Sequence, residues 1–449
     1  MSISKDALVP LAKRMFDGAT HKLDVWSIFT PANVPPDCIN LGQGFMNWAP
    51  PDWIREASHE SMDTNAMSHH YSHPRGRPRL IQAISKHYSP QFENLVKEGR
   101  TLQTEEIVVT AGANCGMYAA LVAHLQPGDE VILIEPYFDQ YFASIHFQGG
   151  VPVFVPLHPP PVEAEPSDVA NGTNGPNGHP KRHVYSSSEW TLDLDEFRAA
   201  FTPRTKCVII NTPHNPVGKV FSREELEGIA KICVENKVLV LSDEVYDVMV
   251  YDGLEHVRIA SLPGMWERTL TVCSAGKAFA CTGWRVGWLM GPPPLVSATL
   301  AAHSRIVFCT NSPMQEAVAI GLEGAKEHNF FPKQLEEYKA RRQVITSYFD
   351  QLGLSYTMPE GGYFVLVDMS PVKVPEGYPI PPTCQGRGKD FELCWWLCQE
   401  IKVVGIPPSE FYCEEHVNIG ERFARFAFCK DLDLLHQAGK RLLRLKEFM

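Results

Sequence analysis

Between about Thr101 and Lys277 the chain repeats one pattern, a short run that is apolar at nearly every position and stops on small or polar residues. EEIVVTAGAN, DEVILIEPYF, TKCVIINTPHNP, VLVLSDEVY and TLTVCSAGK all have this form. A strand with no polar face has no side to turn to water. It must be covered on both faces, as in a parallel sheet sandwiched by helices. The intervening segments supply such helices. CGMYAALVAHL ends at Pro127-Gly128, and SREELEGIAKICVENK is amphipathic, with Ser222 as N-cap and Glu225 three positions on, a capping box. The predicted fold class is therefore α/β, a mostly parallel central sheet between helices. After about Gly321 the character changes to long amphipathic helices flanking the strands GGYFVLVDM and RFARFAFC, which reads as a smaller α+β domain. One stretch, His158 to Trp190, is rich in Pro, Gly, Asn and Ser and reads as a long mobile surface loop.

Composition narrows the function classes. A formal net charge of −11 leaves no basic excess to neutralise nucleic-acid phosphates. No apolar run is long enough to span a bilayer, so no membrane partner is expected. The start, MSISKDALVPLAKRMF, lacks a secretory apolar region. A cytoplasmic location is expected, with a mitochondrial presequence left open by its mildly basic character. The 12 cysteines are scattered through apolar runs, and Cys394 and Cys398 have helical spacing. HHYSH (His69, His70, His73) has no evident partner, so neither a metal nor disulfides are expected.

In doubly covered parallel sheets, ligands bind beyond the carboxyl ends of the strands. The residues there are Gly112 to Asn114, Tyr137 and Phe138, Asn215, Asp243 and Tyr246, and Ser274 and Lys277. In SAGKAFACTGWRVGW, Lys277 sits among small neighbours that let a flat ring approach the backbone, and its amine can form a Schiff base with an aldehyde. Arg285 and the Ser274 hydroxyl suit a phosphate, and TAGANCG (through Ala113 and Asn114) leads into a helix N-terminus that favours an anion. Asp243 ends a buried strand, where a bare carboxylate needs a partner such as a pyridinium nitrogen. Asn215 and Tyr246 can bond a phenolic oxygen, and Phe138 can stack on a ring. Singly, each feature has a plain structural reading. Their joint occurrence at successive strand ends points to a pyridoxal 5'-phosphate site.

The same residues carry a resemblance. INLGQGF, EPYFDQY, NTPHNPVGKVFSREEL, SDEVYDVMVYDG, the block ending GWRVGW, and ARFAFCKD resemble fold-type-I, pyridoxal-phosphate-dependent class I/II aminotransferases. They are most similar to the kynurenine aminotransferase, glutamine transaminase K and cysteine-S-conjugate β-lyase group. The resemblance implies an N-terminal arm over 1–38 joining the small domain, a large cofactor-binding domain over 39–321 and a small domain over 322–449. It implies Lys277 as Schiff-base lysine and proton shuttle, Asp243 on the pyridine nitrogen, and Asn215 and Tyr246 on the ring oxygen. Ser274, Arg285, Ala113 and Asn114 would bind phosphate, with Tyr71 reaching the neighbouring subunit's cofactor in a homodimer. Arg425 would clamp the substrate α-carboxylate, with Gly44 and Trp26 beside it, and Phe308 is a further candidate for the aromatic walls. The implied activity moves the amino group of L-kynurenine, glutamine, methionine or an aromatic amino acid to a 2-oxo acid. β-Elimination from cysteine conjugates is the alternative in the same site.

Overall fold

The computed structural model describes residues 24–161 and 183–449. Its centre is an eight-stranded sheet. In chain order its strands are β1 (Ile107–Thr110), β2 (Glu130–Glu135), β3 (Val151–His158), β5 (Thr191–Leu192), β6 (Thr205–Asn211), β7 (Leu239–Asp243), β8 (Thr269–Ser274) and β9 (Gly287–Met290). The spatial order is β1-β9-β8-β7-β6-β2-β3-β5. The run from β8 to β3 is parallel throughout, as the two-sided apolar pattern requires. Val108, Leu133, Ile209, Leu241 and Val272 are all buried. Helices α1 (Ala113–His124), α2 (Asp139–Phe147) and α3 (Arg223–Glu235) follow β1, β2 and β6. In α3 the Ser222 hydroxyl accepts from the Glu225 N–H while the Glu225 carboxylate accepts from the Ser222 N–H, the predicted capping box.

Strand β9 departs from the parallel pattern. It lies antiparallel between β1 and β8, with Gly287 opposite Ser274. Residues 275–286 thus form the connection of a broad hairpin, so Lys277 and Arg285 are held together at the end of β8. The approach is close, since a Cβ on Gly287 would lie 2.6 Å from the Ala113 nitrogen.

A second, four-stranded sheet has the order β12-β11-β10-β4, from β4 (Val184–Ser186), β10 (Tyr356–Met358), β11 (Phe364–Asp368) and β12 (Phe423–Ala427). The long helix α4 (Phe330–Leu352) precedes β10. The loop expected over 158–190 is corrected at both ends. β3 runs to His158, β4 pairs in parallel with β10, and Trp190 is fully buried with its Nε1 donating to Thr357 Oγ1 at 3.1 Å. Val184, on the sheet edge, and Trp190, in the core, lie near the end of that stretch. Its middle, 162–182, lies outside the described residues, as does 1–23 of the expected arm. Among the described residues no helix is long and apolar enough to cross a membrane.

Candidate active site

The strand ends converge as the sheet rule predicts. Lys277 sits just past β8 on a single helical turn, its Nζ donating to Tyr363 Oη at 2.8 Å and to the Gly44 carbonyl at 3.3 Å. Tyr363 Oη in turn donates to the same carbonyl at 2.9 Å. A Cβ on Gly44 would stand 2.7 Å from the Phe364 ring, so only glycine lets this backbone oxygen reach the lysine. The Tyr246 ring centroid lies 5.7 Å from Nζ, and Tyr246 packs edge-on against Tyr363. Burial pushes the lysine amine down to about 8, more than the nearby Cys429 and Asp243 raise it.

Asp243 closes β7 and is buried. It accepts hydrogen bonds from Tyr141 Oη and, at 3.3 Å, from the Val245 N–H. Burial raises its carboxyl to about 6, against the lowering effect of those bonds and of Lys277. No basic side chain forms a salt bridge with it among the described residues, and Lys277 is the cation whose field it feels.

Arg425 lies on β12 and is only 1% exposed. It donates to Asn215 Oδ1 at 3.1 Å and to the Gly42 carbonyl at 2.8 Å, while its Nε has no hydrogen-bond partner. The rings of Phe364, Phe411 and Trp26 surround the guanidinium at 4.3, 5.1 and 5.4 Å. Among the described residues no carboxylate forms a salt bridge with it, and burial lowers its pKa to about 10. Trp26 is fixed by its Nε1, which donates to Asp139 Oδ2 at 2.7 Å.

At the other side, α1 begins at Ala113 after Gly112 with no side-chain cap, which leaves its first N–H groups for an anion. Gly112 has φ +87°, and a Cβ there would lie 2.4 Å from Arg285 Nη2. The glycine therefore opens a cradle in which guanidinium and helix end face one space. Ser274 is buried beside it at the end of β8, and Asn114 Nδ2 donates to Gln140 Oε1 at 3.4 Å. Phe138 forms the N-cap of α2, half-buried against Tyr141. A buried amine, a buried carboxylate and an open anion cradle at adjacent strand ends fit the groups of pyridoxal 5'-phosphate.

The family model for aminotransferase class I and II matches residues 36–438. The chain belongs to that family. Kynurenine–oxoglutarate transaminase of Dictyostelium discoideum is 40% identical to this aminotransferase over 94% of each chain. The Saccharomyces cerevisiae protein named Probable kynurenine–oxoglutarate transaminase BNA3 is 44% identical over the whole of this chain and 97% of its own. The crystal structure of Bna3p from that yeast superposes with a TM-score of 0.88, covering 98% of this aminotransferase and 99% of that chain.

The structure brings Lys277, Asp243, Tyr246, Asn215, Arg425, Gly44 and Trp26 into one connected set. Tyr71 stands apart, 82% exposed, with its ring 4.9 Å from that of Phe308, itself 52% exposed. Sequence reasoning missed Tyr363, Tyr141 and Asp139 as members of the site. Tyr141 and Asp139 belong to EPYFDQY, a motif of the resemblance in which only Phe138 has an expected role, and Tyr363 to GGYFVLVDM, a segment that reads only as a strand. A strand-end rule stops at the residues just past each strand and misses Asp139 and Tyr141 on the following helix and Tyr363 beside the second sheet.

Proposed function

We propose that this aminotransferase transfers the amino group of L-kynurenine to a 2-oxo acid, with pyridoxal 5'-phosphate held through Lys277. Bound there, the cofactor supplies an aldehyde carbon and a ring that accepts the electron pair left at a substrate α-carbon. Arg285, Ser274 and the N–H groups at Ala113 and Asn114 hold its phosphate. Asp243 keeps the pyridine nitrogen protonated, with Tyr141 fixing the carboxylate. Asn215 and Tyr246 bond the ring oxygen, and Phe138 covers a ring face.

Arg425 binds the substrate α-carboxylate and so sets the α-C–H bond toward Lys277, whose Nζ removes that proton as general base. The low amine pKa suits this task, because much of Nζ is neutral near pH 8. The arylamine of kynurenine then closes on the new ketone to give kynurenic acid. One observation carries the reading of a carboxylate substrate, namely that Arg425 is buried without a carboxylate of its own. The exposed Tyr71–Phe308 pair supports a homodimer in which Tyr71 reaches the phosphate in the partner subunit.

The test is direct. Purified protein, supplied with cofactor, L-kynurenine and 2-oxoglutarate, forms kynurenic acid, and borohydride treatment fixes cofactor mass on the peptide containing Lys277. Absence of kynurenic acid with good turnover of another donor would overturn the substrate, and label on a different lysine would overturn the site.

A further inference from the structure

A second cluster of ligand-type side chains lies outside this site. Glu135 ends β2 and is wholly buried. Against it sit Cys413 and His416, a Cys-x-x-His pair in the segment that leads to β12. Their ligand atoms all fall within 4.8 Å of one another. Cys413 Sγ is 3.4 Å from His416 Nδ1, and His416 Nδ1 contacts Glu135 Oε2. The other carboxylate oxygen, Oε1, accepts from the Cys413 N–H. Glu415, exposed, brings its Oε2 to 3.3 Å from the same sulfur.

With Zn–S near 2.3 Å and Zn–N or Zn–O near 2.0 Å, tetrahedral ligand atoms stand roughly 3.2–3.6 Å apart. The sulfur has His416 Nδ1 and Glu415 Oε2 at that spacing, while the His416–Glu135 pair is closer and has to part for an ion to sit between them. An open groove of about 500 Å³, lined by His416 and Glu415, gives an ion a way in.

We propose that Glu135, Cys413 and His416 form a Zn2+ site, with Glu415 or water completing the tetrahedron. Thiol, imidazole and carboxylate together suit zinc, whereas Mg2+ and Ca2+ take oxygen ligands. On binding, the Cys413 S–H bond gives its proton to solvent and a Zn–S bond forms. His416 binds through neutral Nδ1 and keeps its proton on Nε2, and no electrons are transferred. The ion ties the end of β2 to the 413–416 segment. Two stretches of the site already meet there, since Tyr137 N–H donates to the Phe411 carbonyl at 2.9 Å and the Phe411 ring faces Arg425. Zinc at this point is a clamp that holds the Phe138 turn against the strand bearing Arg425.

The experiment loads full-length holoenzyme with Zn2+, desalts it and measures metal per chain. Wild type retains about one zinc per chain and its melting temperature rises with added Zn2+. Cys413→Ser and His416→Gln lose both the bound zinc and the rise. Retention of less than about a tenth of an equivalent by wild type, or undiminished retention by Cys413→Ser, overturns the proposal. Should a variant fail to fold, Co2+ titrated into wild type decides, through the thiolate-to-metal absorption band in the difference spectrum. Absence of that band counts against the site.

Discussion

Two buried arginines divide the molecule by purpose. Arg258 and Arg425 are both almost inaccessible to water and both rest against aromatic rings. Arg258 has Glu244 and Asp247 as salt-bridge partners, and Glu244 also bonds His256 and Ser242. Burial alone would lower the Arg258 pKa, but those two carboxylates raise it above the usual guanidinium range. Arg425 has an amide oxygen and a backbone carbonyl instead, and its pKa falls. Glu244 and Asp243 repeat the contrast side by side in sequence, Glu244 held low by Arg258 and His256 against its burial, Asp243 raised by burial. Arg258 and Glu244 thus carry their counter-charges within the chain, whereas Arg425 and Asp243 have none in a salt bridge among the described residues, as the proposed function requires.

Lys277→Ala has the largest expected effect, a loss of about ten-thousandfold or more in kcat with the fold intact by circular dichroism. Retained turnover would remove the lysine from the chemistry. Asp243→Asn lowers the rate of the donor half-reaction by about a thousandfold without lowering the melting temperature, because a neutral amide replaces an unpaired carboxylate. Glu244→Gln does the opposite, costing about 1–3 kcal/mol of stability, because Arg258 keeps Asp247 but loses one of its two carboxylate partners. Urea denaturation of the two variants separates the roles, and a destabilised Asp243→Asn with normal half-reaction kinetics would reverse them.

How much of this contrast could be read from the sequence follows from where each partner sits. The apolar runs marked β1, β2, β6, β7 and β8 because strands buried on both faces have no polar alternation to confuse them. Their ends gave Lys277, Asp243 and Asn215 at once. β9 was harder, since Gly287–Met290 is only four residues of a motif dominated by its glycines and tryptophans. Tyr363, which meets Lys277, is separated from it by 86 positions, and Tyr141 from Asp243 by 102. The Glu135–His416 contact spans 281. No local pattern encodes such pairs; they form only when elements distant in sequence pack together.

An ordinary lysine stays charged to pH 10.5, whereas Lys277 deprotonates near 8. Because burial lowers this pKa, the reactive neutral amine grows as pH rises through about 8. Cofactor uptake by the cofactor-free protein should accelerate up to that pH and level off above it in stopped-flow absorbance. A rate still climbing tenfold per pH unit at pH 9.5 would show an unperturbed amine. Among donors, aspartate should react more weakly than kynurenine, methionine or phenylalanine by about a hundredfold in kcat/KM. Its second carboxylate would enter an aromatic-walled site without a cation assigned to it. Aspartate as the best donor in an initial-rate panel would contradict that.

The contrast between the two arginines is tested most directly by Arg425→Met beside Arg258→Met, each measured for melting temperature and for kcat/KM across the donor panel. Arg425→Met should melt no lower than wild type, since it removes a buried charge with no carboxylate partner, yet lose about a hundredfold or more in kcat/KM with every donor alike. Arg258→Met should melt several degrees lower, with folded molecules turning over nearly normally. An Arg425→Met protein that melts far below wild type while keeping its activity would contradict the assignment of Arg425 to substrate.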